Sequence, residues 1–169
     1  HWMVHSFPTR RSSDLPAQSE ISLETNLPTH AVAQQKYSLG GAGNVVNNLV
    51  ALGVKHVRAF GVVGEDPFGS EMIKILKSLK VNTDGILVQK ERWYTHVYAK
   101  PYENNAEKNR IDFGSLNRLA DETAGRLLDA LEKAVPEADV VIINQQVLSG
   151  IHNENFRKGL AGLARKFPQ

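Results

Sequence analysis

Residues 39–53 read Leu39-Gly40-Gly41-Ala42-Gly43-Asn44-Val45-Val46-Asn47-Asn48-Leu49-Val50-Ala51-Leu52-Gly53, a glycine cluster running straight into an apolar-striped stretch. Glycine lets a backbone turn tightly and approach a ligand closely, because no Cβ stands in the way. Val45, Val46, Leu49, Val50 and Leu52 recur at helical spacing, so the stretch predicts a loop feeding an amphipathic helix, with Gly53 as its stop. Such a helix points its free N–H groups and the positive end of its dipole back at the loop. That makes a binding corner for a polar or anionic small molecule.

Downstream, strand and helix patterns alternate. Val57-Arg58-Ala59-Phe60-Gly61-Val62-Val63-Gly64 predicts a short apolar strand, and Asp66 before Pro67 predicts the start of a helix whose Phe68, Met72, Ile75, Leu76 and Leu79 share a face. Further on, Ala120, Ala124, Leu127, Leu128 and Leu131 predict a helix that stops before Pro136. Asp139-Val140-Val141-Ile142-Ile143 predicts a buried strand, and Phe156, Leu160, Leu163 and Phe167 a last helix. This rhythm is that of an α/β fold with a mostly parallel sheet covered by helices.

Two regions depart from it. Between 21 and 39, Pro28 separates Ile21-Ser22-Leu23-Glu24 from His30-Ala31-Val32-Ala33 and Lys36-Tyr37-Ser38-Leu39, three short extended pieces. Between 86 and 113, Ile86-Leu87-Val88, Thr95-His96-Val97-Tyr98-Ala99 and Arg110-Ile111-Asp112-Phe113 read as strands with no helix between them and a polar turn at 103–108. We expect a hairpin-like excursion, pairing antiparallel or joining the 21–39 strands as a small separate sheet. At the start, Phe7-Pro8-Thr9-Arg10-Arg11-Ser12-Ser13-Asp14-Leu15 reads like a translated sequencing-adapter oligonucleotide, so residues 1–15 are expected to be non-native and the fold to occupy 16–169.

The 169 residues suffice for one domain with a real core, and 41% hydrophobic with 22% charged residues is globular composition, excluding disordered and collagen-like classes. No apolar run approaches the roughly 20 residues of a bilayer span, so no membrane role is expected, and the cytoplasm is the expected compartment. The absence of cysteine excludes disulfides, thiolate metal sites and a thiol nucleophile. A net charge of +2, spread along the chain, gives no reason to expect nucleic acid as a partner.

In order along the chain, Gly40-Gly41-Ala42-Gly43-Asn44 with Gly53, then Gly61-Val62-Val63-Gly64-Glu65-Asp66-Pro67-Phe68-Gly69, resemble two signatures of the PfkB-type, ribokinase-like carbohydrate kinases. Ile21-Ser22-Leu23-Glu24 with Pro28, and Asn109-Arg110-Ile111-Asp112-Phe113, resemble the lid segments of that family's heptose phosphate kinase branch. The resemblance covers roughly residues 19–150. It implies a three-layer α/β/α fold with a mostly parallel sheet and a small β-sheet lid over the sugar, lid strands near 21–39 and 86–113, here truncated at both ends.

It further implies that Gly40 and Gly41 lie against the sugar and that Asn44 hydrogen-bonds its hydroxyls. An amide carries the donors and the acceptor a polyol needs, although asparagine there also suits plain helix capping. Lys100 and Arg110 of the lid would hold a substrate phosphate, with the arginine fork matching its geometry. Asp112 faces the same side of its strand as Arg110, to pair with it or reach a hydroxyl. Edge-protecting charge is the alternative for Lys100; Trp93, Tyr94, Tyr98 and Tyr102 are candidate walls of a sugar pocket, with plain packing the alternative. In Asn144-Gln145-Gln146, at the carboxyl end of a predicted strand, Gln145 is a substrate-binding candidate where relatives often carry an acid.

The family's base lies in a later Gly-x-Gly-Asp motif, which this sequence lacks; Gly41-Ala42-Gly43-Asn44 imitates it with an amide that cannot take a proton. The expected activity is therefore that of a fragment. It is the substrate half of an ATP-dependent sugar or sugar-phosphate kinase, with the base and the ATP- and Mg2+-binding residues beyond Gln169, no metal ligand here, and no turnover alone. One alternative is the heptose phosphate kinase domain of a bifunctional nucleotide-sugar synthase. Another is a non-catalytic sugar-binding or dimerising module, paired as a homodimer through the lid sheet. The glycine spacing is not the dinucleotide fingerprint.

Overall fold

The computed structural model describes residues 2–6, 20–29, 32–103, 106–147 and 149–168. In chain order the elements are β1 (Trp2–Ser6), β2 (Leu39–Gly41), α1 (Ala42–Ala51), β3 (Arg58–Gly64), α2 (Pro67–Ser78), β4 (Asn82–Gln89), β5 (Val97–Ala99), β6 (Tyr102–Glu103), β7 (Ala106–Glu107), β8 (Ile111–Phe113), α3 (Asp121–Ala134) and α4 (Glu154–Lys166). A single 3-10 turn, Val135–Glu137, ends α3 at Pro136.

β3 and β4 pair in parallel, from Gly61 opposite Ile86 to Gly64 opposite Gln89, with α2 as the crossover between them. Side chains alternate across this pair. Ala59, Val63 and Ile86 face α1 and α2 through Val46, Met72 and Leu76, whereas Val62 and Phe60 face α3 and α4 through Ala124, Leu127 and Phe156. Period-two alternation in β3 thus feeds two cores, which makes the three layers. The helices start as their sequences dictate: Asp66 caps α2 by accepting from Gly69 N–H at 2.8 Å, and Asn153 caps α4 by accepting from Phe156 N–H at 2.8 Å.

Residues 86–88 do not belong to the excursion, contrary to expectation. They continue a strand that begins at Asn82 and lies in the main sheet, because Gly85 and Ile86 are buried there beside β3. The excursion itself runs from β5 to β8, which pair antiparallel with Tyr98 opposite Asp112, and β6 and β7 form its hairpin tip. It does join an earlier strand. The second sheet has the order β2-β1-β5-β8, with β1 antiparallel to β2 and parallel to β5. Of the amino-terminal segment, the backbone of Trp2–Ser6 takes a place in that sheet; His1 and residues 7–19 lie outside the described residues.

The three early extended pieces are not realised as read. Ile21 bridges Pro28 across a tight turn in which Ser22 N–H donates to the Leu27 carbonyl at 2.9 Å, and residues 32–38 form no strand. Leu23 and Leu27 stay exposed, so no buried face holds the turn as a ladder. His30 and Ala31 are outside the described residues.

The strand predicted at 139–143 also fails to form a ladder. Val140, Val141, Ile142 and Ile143 are 75%, 48%, 54% and 59% exposed. Full burial of one such side chain is worth about 1.5–3 kcal/mol, so leaving four of them this open forgoes several kcal/mol. Between this segment and Arg58 and Phe60 of β3 lies a cavity of about 470 Å3, floored by Leu127, Leu131 and Phe156. Among the described residues no helix is long and apolar enough to cross a membrane.

In the first turn of α2 the backbone packs closely at Gly69, where a Cβ would stand 2.7 Å from the Gly64 carbonyl and 2.8 Å from Thr95 Oγ1. Gly69→Ala is expected to cost about 2 kcal/mol, lowering the thermal midpoint by roughly 4–8 °C. Gly125→Ala, where a Cβ meets nothing within 4 Å in the exposed flank of α3, should be neutral or raise it. Thermal unfolding of the two variants beside the parent checks the contrast.

Candidate functional site

The carboxyl end of β3 is locked to the root of the excursion by one carboxylate. Asp66 Oδ1 accepts from Gly69 N–H, and its Oδ2 accepts from Thr95 N–H at 2.8 Å, while Thr95 Oγ1 accepts from Gly64 N–H at 3.0 Å. Thr95 is buried, and a Cβ at Gly64 would lie 2.2 Å from Asp66 Oδ2, so only glycine leaves room for the carboxylate. Two amides fasten the other root. Gln89 Nε2 donates to the Glu91 and Arg118 carbonyls, both at 2.8 Å, and its Oε1 accepts from Ala120 N–H at 3.0 Å. Asn117 Oδ1 accepts from Tyr94 N–H at 2.9 Å, and its Nδ2 donates to the Tyr94 carbonyl at 2.7 Å and faces His96 Nδ1 at 3.2 Å.

That last contact fixes His96 as a neutral ring whose Nδ1 accepts, and burial pushes its pKa from 6.5 down to about 4. His96, Thr95 and Trp93 meet Gly61, Val62 and Ile151 around a small void at the end of β3. Trp93 is buried there and donates from Nε1 to the Val62 carbonyl at 3.3 Å, so it packs as core, while Tyr94 lies exposed.

On the excursion the predicted charges are gathered together. Arg110 and Asp112 form a two-pronged pair, Nε to Oδ1 at 2.6 Å and a terminal nitrogen to Oδ2 at 2.7 Å, with the guanidinium carbon 3.8 Å from the centre of the Tyr98 ring. Lys100 Nζ reaches Glu107 Oε1 at 3.2 Å, and Tyr102 Oη donates to Glu107 Oε2 at 2.6 Å. Tyr98 and Asp112 thus stand opposite each other on the paired strands β5 and β8, and Lys100 and Arg110 lie just outside them, each cation beside a carboxylate. Glu107, Tyr102 as its hydrogen-bond partner, and the Asp66, Thr95, Gln89 and Asn117 fastenings did not follow from the sequence reading.

Gly40 and Gly41 lie in β2, Gly40 buried and Gly41 with φ of 53°, a backbone conformation that suits glycine where the chain enters α1. Gly41 is the N-cap residue with no side-chain cap, so Asn44, exposed in the first turn, is not the cap that one reading made it. Gln145 is exposed beyond residues 140–143, and the Asn144 carbonyl lies 3.0 Å from His152 Nε2. Ala42 and Asn144 line the same 470 Å3 cavity, which brings the glycine corner and the 144–146 turn to one region, apart from the charged strands of the excursion.

The model of the pfkB family carbohydrate kinases matches residues 14–161. The chain belongs to the pfkB family of carbohydrate kinases. It is similar to the bifunctional protein HldE of Sulfurimonas denitrificans, 34% identical over 124 residues, and to that of Desulfatibacillum aliphaticivorans, 36% identical over 124 residues. Those matches take in 73% of this chain but 26% and 25% of the relatives, so the chain spans about a quarter of their length. A Thermotoga maritima protein described as a possible 1-phosphofructokinase superposes over 99% of this chain and 48% of its own, with a TM-score of 0.64 at 18% identity. A proposed sugar kinase of Clostridium perfringens does so over 98% and 46%, with a TM-score of 0.61 at 17% identity. Both share the fold, which is the ribokinase-like α/β fold, truncated here.

A pfkB kinase works with ATP-dependent phosphoryl transfer. No group of three or more His, Asp or Glu among the described residues is placed to hold a metal ion. The amide Asn44 in the glycine corner cannot take a hydroxyl proton. What the described residues hold is a glycine corner at the start of α1 and a strand excursion that carries paired charges.

Two expectations follow from the knot and from His96. Asp66→Asn keeps one acceptor but sets an N–H2 donor against either Thr95 N–H or Gly69 N–H. It should cost about 1–3 kcal/mol in a urea titration, with Thr95 amide exchange accelerated. Because His96 titrates lower folded than unfolded, the unfolded chain binds the extra proton between pH 6.5 and 4. Stability is full above pH 6.5 and falls as the pH drops through that window, by about 2 kcal/mol. His96→Gln should flatten the slope of urea midpoint against pH over that range.

Proposed function

We propose that this chain is the substrate-binding part of an ATP-dependent sugar-phosphate kinase, with the hydroxyls read at the glycine corner and the phosphate held by the lid. The observation that carries this reading is the pairing of Lys100 with Glu107 and of Arg110 with Asp112 within one excursion, the guanidinium stacked on Tyr98. Exposed ion pairs of this kind add little to stability. A phosphate dianion offers more acceptor oxygens than either carboxylate, and a guanidinium fork already held flat against a ring meets it two-pronged. Substrate binding here is an exchange of partners.

In the whole enzyme, in-line attack by the sugar hydroxyl on the γ-phosphate requires a base and a magnesium ion, which the remaining sequence supplies. Gly40 and Gly41 admit the sugar to the backbone, and Asn44 with Gln145 supplies amide donors and acceptors for its hydroxyls. The 34–36% identity to proteins named HldE favours a phosphorylated heptose over a plain hexose. The lid also presents Ile111 and Phe113 to solvent, which supports pairing of two copies through that sheet in the cytoplasm.

Calorimetric titration tests the reading. A heptose phosphate should bind about tenfold or more tightly than the same heptose without phosphate, and Arg110→Ala should erase the difference while leaving the plain sugar's affinity unchanged. Equal affinities in the parent chain would sink the sugar-phosphate assignment. The isolated chain should show no ATP-dependent phosphorylation.

A further inference from the structure

The two ends of the excursion and the loop that carries Gln145 meet at one carbonyl. Gly114, two residues past Asp112, has φ of 77°, and a Cβ there would stand 2.8 Å from the Tyr94 carbonyl and 3.1 Å from both Asn117 Nδ2 and His96 Nδ1. This crowding holds the glycine and so fixes the direction of its carbonyl. The carbonyl oxygen accepts twice, from Asn117 N–H at 3.3 Å and from the Ser149 hydroxyl at 3.1 Å. Asn117 is buried and grips Tyr94 through both of its amide atoms, so the outgoing and returning ends of the excursion form one unit. Ser149 belongs to neither end.

Ser149 lies in the loop 144–152, four residues after Gln145. His152 Nε2 shuts the neck of that loop by donating to the Asn144 carbonyl at 3.0 Å; a carbonyl only accepts, so the ring carries a proton on that nitrogen. Behind the neck, His152 packs edge-on to Phe156 with ring centres 5.8 Å apart, and Asn153 caps α4. With its neck closed, the loop shifts as a body. Gly150 and Ile151 of the loop face Trp93, Thr95 and His96 across a void of about 20 Å3, space for about one water. Dispersion is thin across such a gap, so the Ser149 hydroxyl carries much of the contact between loop and excursion.

We infer that Ser149 is a positioning residue, whose hydroxyl couples the loop that carries Gln145 to the excursion that carries Arg110 and Asp112, so that the amide and the cation take up position together. The roles of Gln145 and Arg110 in this inference rest on the function proposed above. On that function a sugar phosphate spans the two, its hydroxyls at the amide and its phosphate at the guanidinium. Occupying one end then favours the other through Gly114. One neutral hydrogen bond sets the size of the effect, about fivefold in affinity.

The test pairs a measurement without ligand and a titration. In hydrogen exchange, Ser149→Ala should exchange about fivefold faster both over residues 144–152 and at the Asn117 and Tyr94 amides, which are bonded to Gly114 and Asn117. Ser149→Thr, which keeps the hydroxyl, should match the parent on both sides. Acceleration confined to one side, or none, would overturn the inference with no ligand involved. In calorimetry, a heptose phosphate should bind Ser149→Ala about fivefold more weakly than the parent. The effects of Gln145→Ala and Arg110→Ala, non-additive in the parent, should become additive in the Ser149→Ala background. Unchanged affinity and unchanged non-additivity in that background would overturn the coupling. A parent chain that binds no heptose phosphate while the two-sided exchange holds would overturn the proposed function and not the coupling.

Discussion

A single carboxylate, Asp66, holds three parts of this molecule in register. It ends the strand β3, starts the helix α2 and receives the first residue of the excursion, by accepting from Gly69 N–H and Thr95 N–H. The glycines at 64 and 69 exist in this geometry because the backbone, the carboxylate and the Thr95 hydroxyl occupy the space a Cβ would need. Two buried N–H groups and one partly buried charge satisfy one another, so none of the three can be removed without leaving another unpaired. The lid root is thereby rigid relative to the main sheet. Whatever motion the excursion makes relative to the main sheet must come from beyond Thr95 and short of Asn117, the second fastened point.

Between those two points the chemistry is of the opposite kind. The fastenings are short, buried and neutral at Gln89, Asn117 and Thr95, whereas Lys100, Glu107, Arg110 and Asp112 are charged and largely exposed. Water screens these ion pairs, so they hold side chains in place without holding them tightly. On the function proposed above, such a segment keeps its cations pre-aimed, and an incoming anion displaces the resident carboxylates in the plane that Tyr98 sets under the guanidinium.

How far the sequence could be read depended on the range of the interaction concerned. Asp66-Pro67 is a local signal, and it located the start of α2; the stripes of Met72 and Leu76, and of Ala124 and Leu127, are local too, and both became core. The pairing of Arg110 with Asp112 follows from period two alone. Thr95 and Asn117 carry no such signal, because their partners stand 31 and 23 residues away and exist only once β3 and β5 are placed. The assignment of residues 86–88 to the excursion failed for a related reason. A short apolar run is equally suited to either sheet, and what decides is the partner, here β3, whose edge and α2 crossover leave one parallel position open.

The run at 140–143 shows the same dependence from the other side. Four consecutive β-branched apolar residues are composed for a strand covered on both faces, yet in the structure they form no ladder and lie half open or more. A strand is not a property of its own residues: it needs a neighbour on at least one edge, and among the described residues 140–143 have none. The exposed run and the unshared edge of β3 are therefore one feature seen from two walls. Neither wall can be repaired by substitution within itself. Making residues 140–143 polar would ease their exposure but leave the edge of β3 with no ladder partner besides β4 among the described residues.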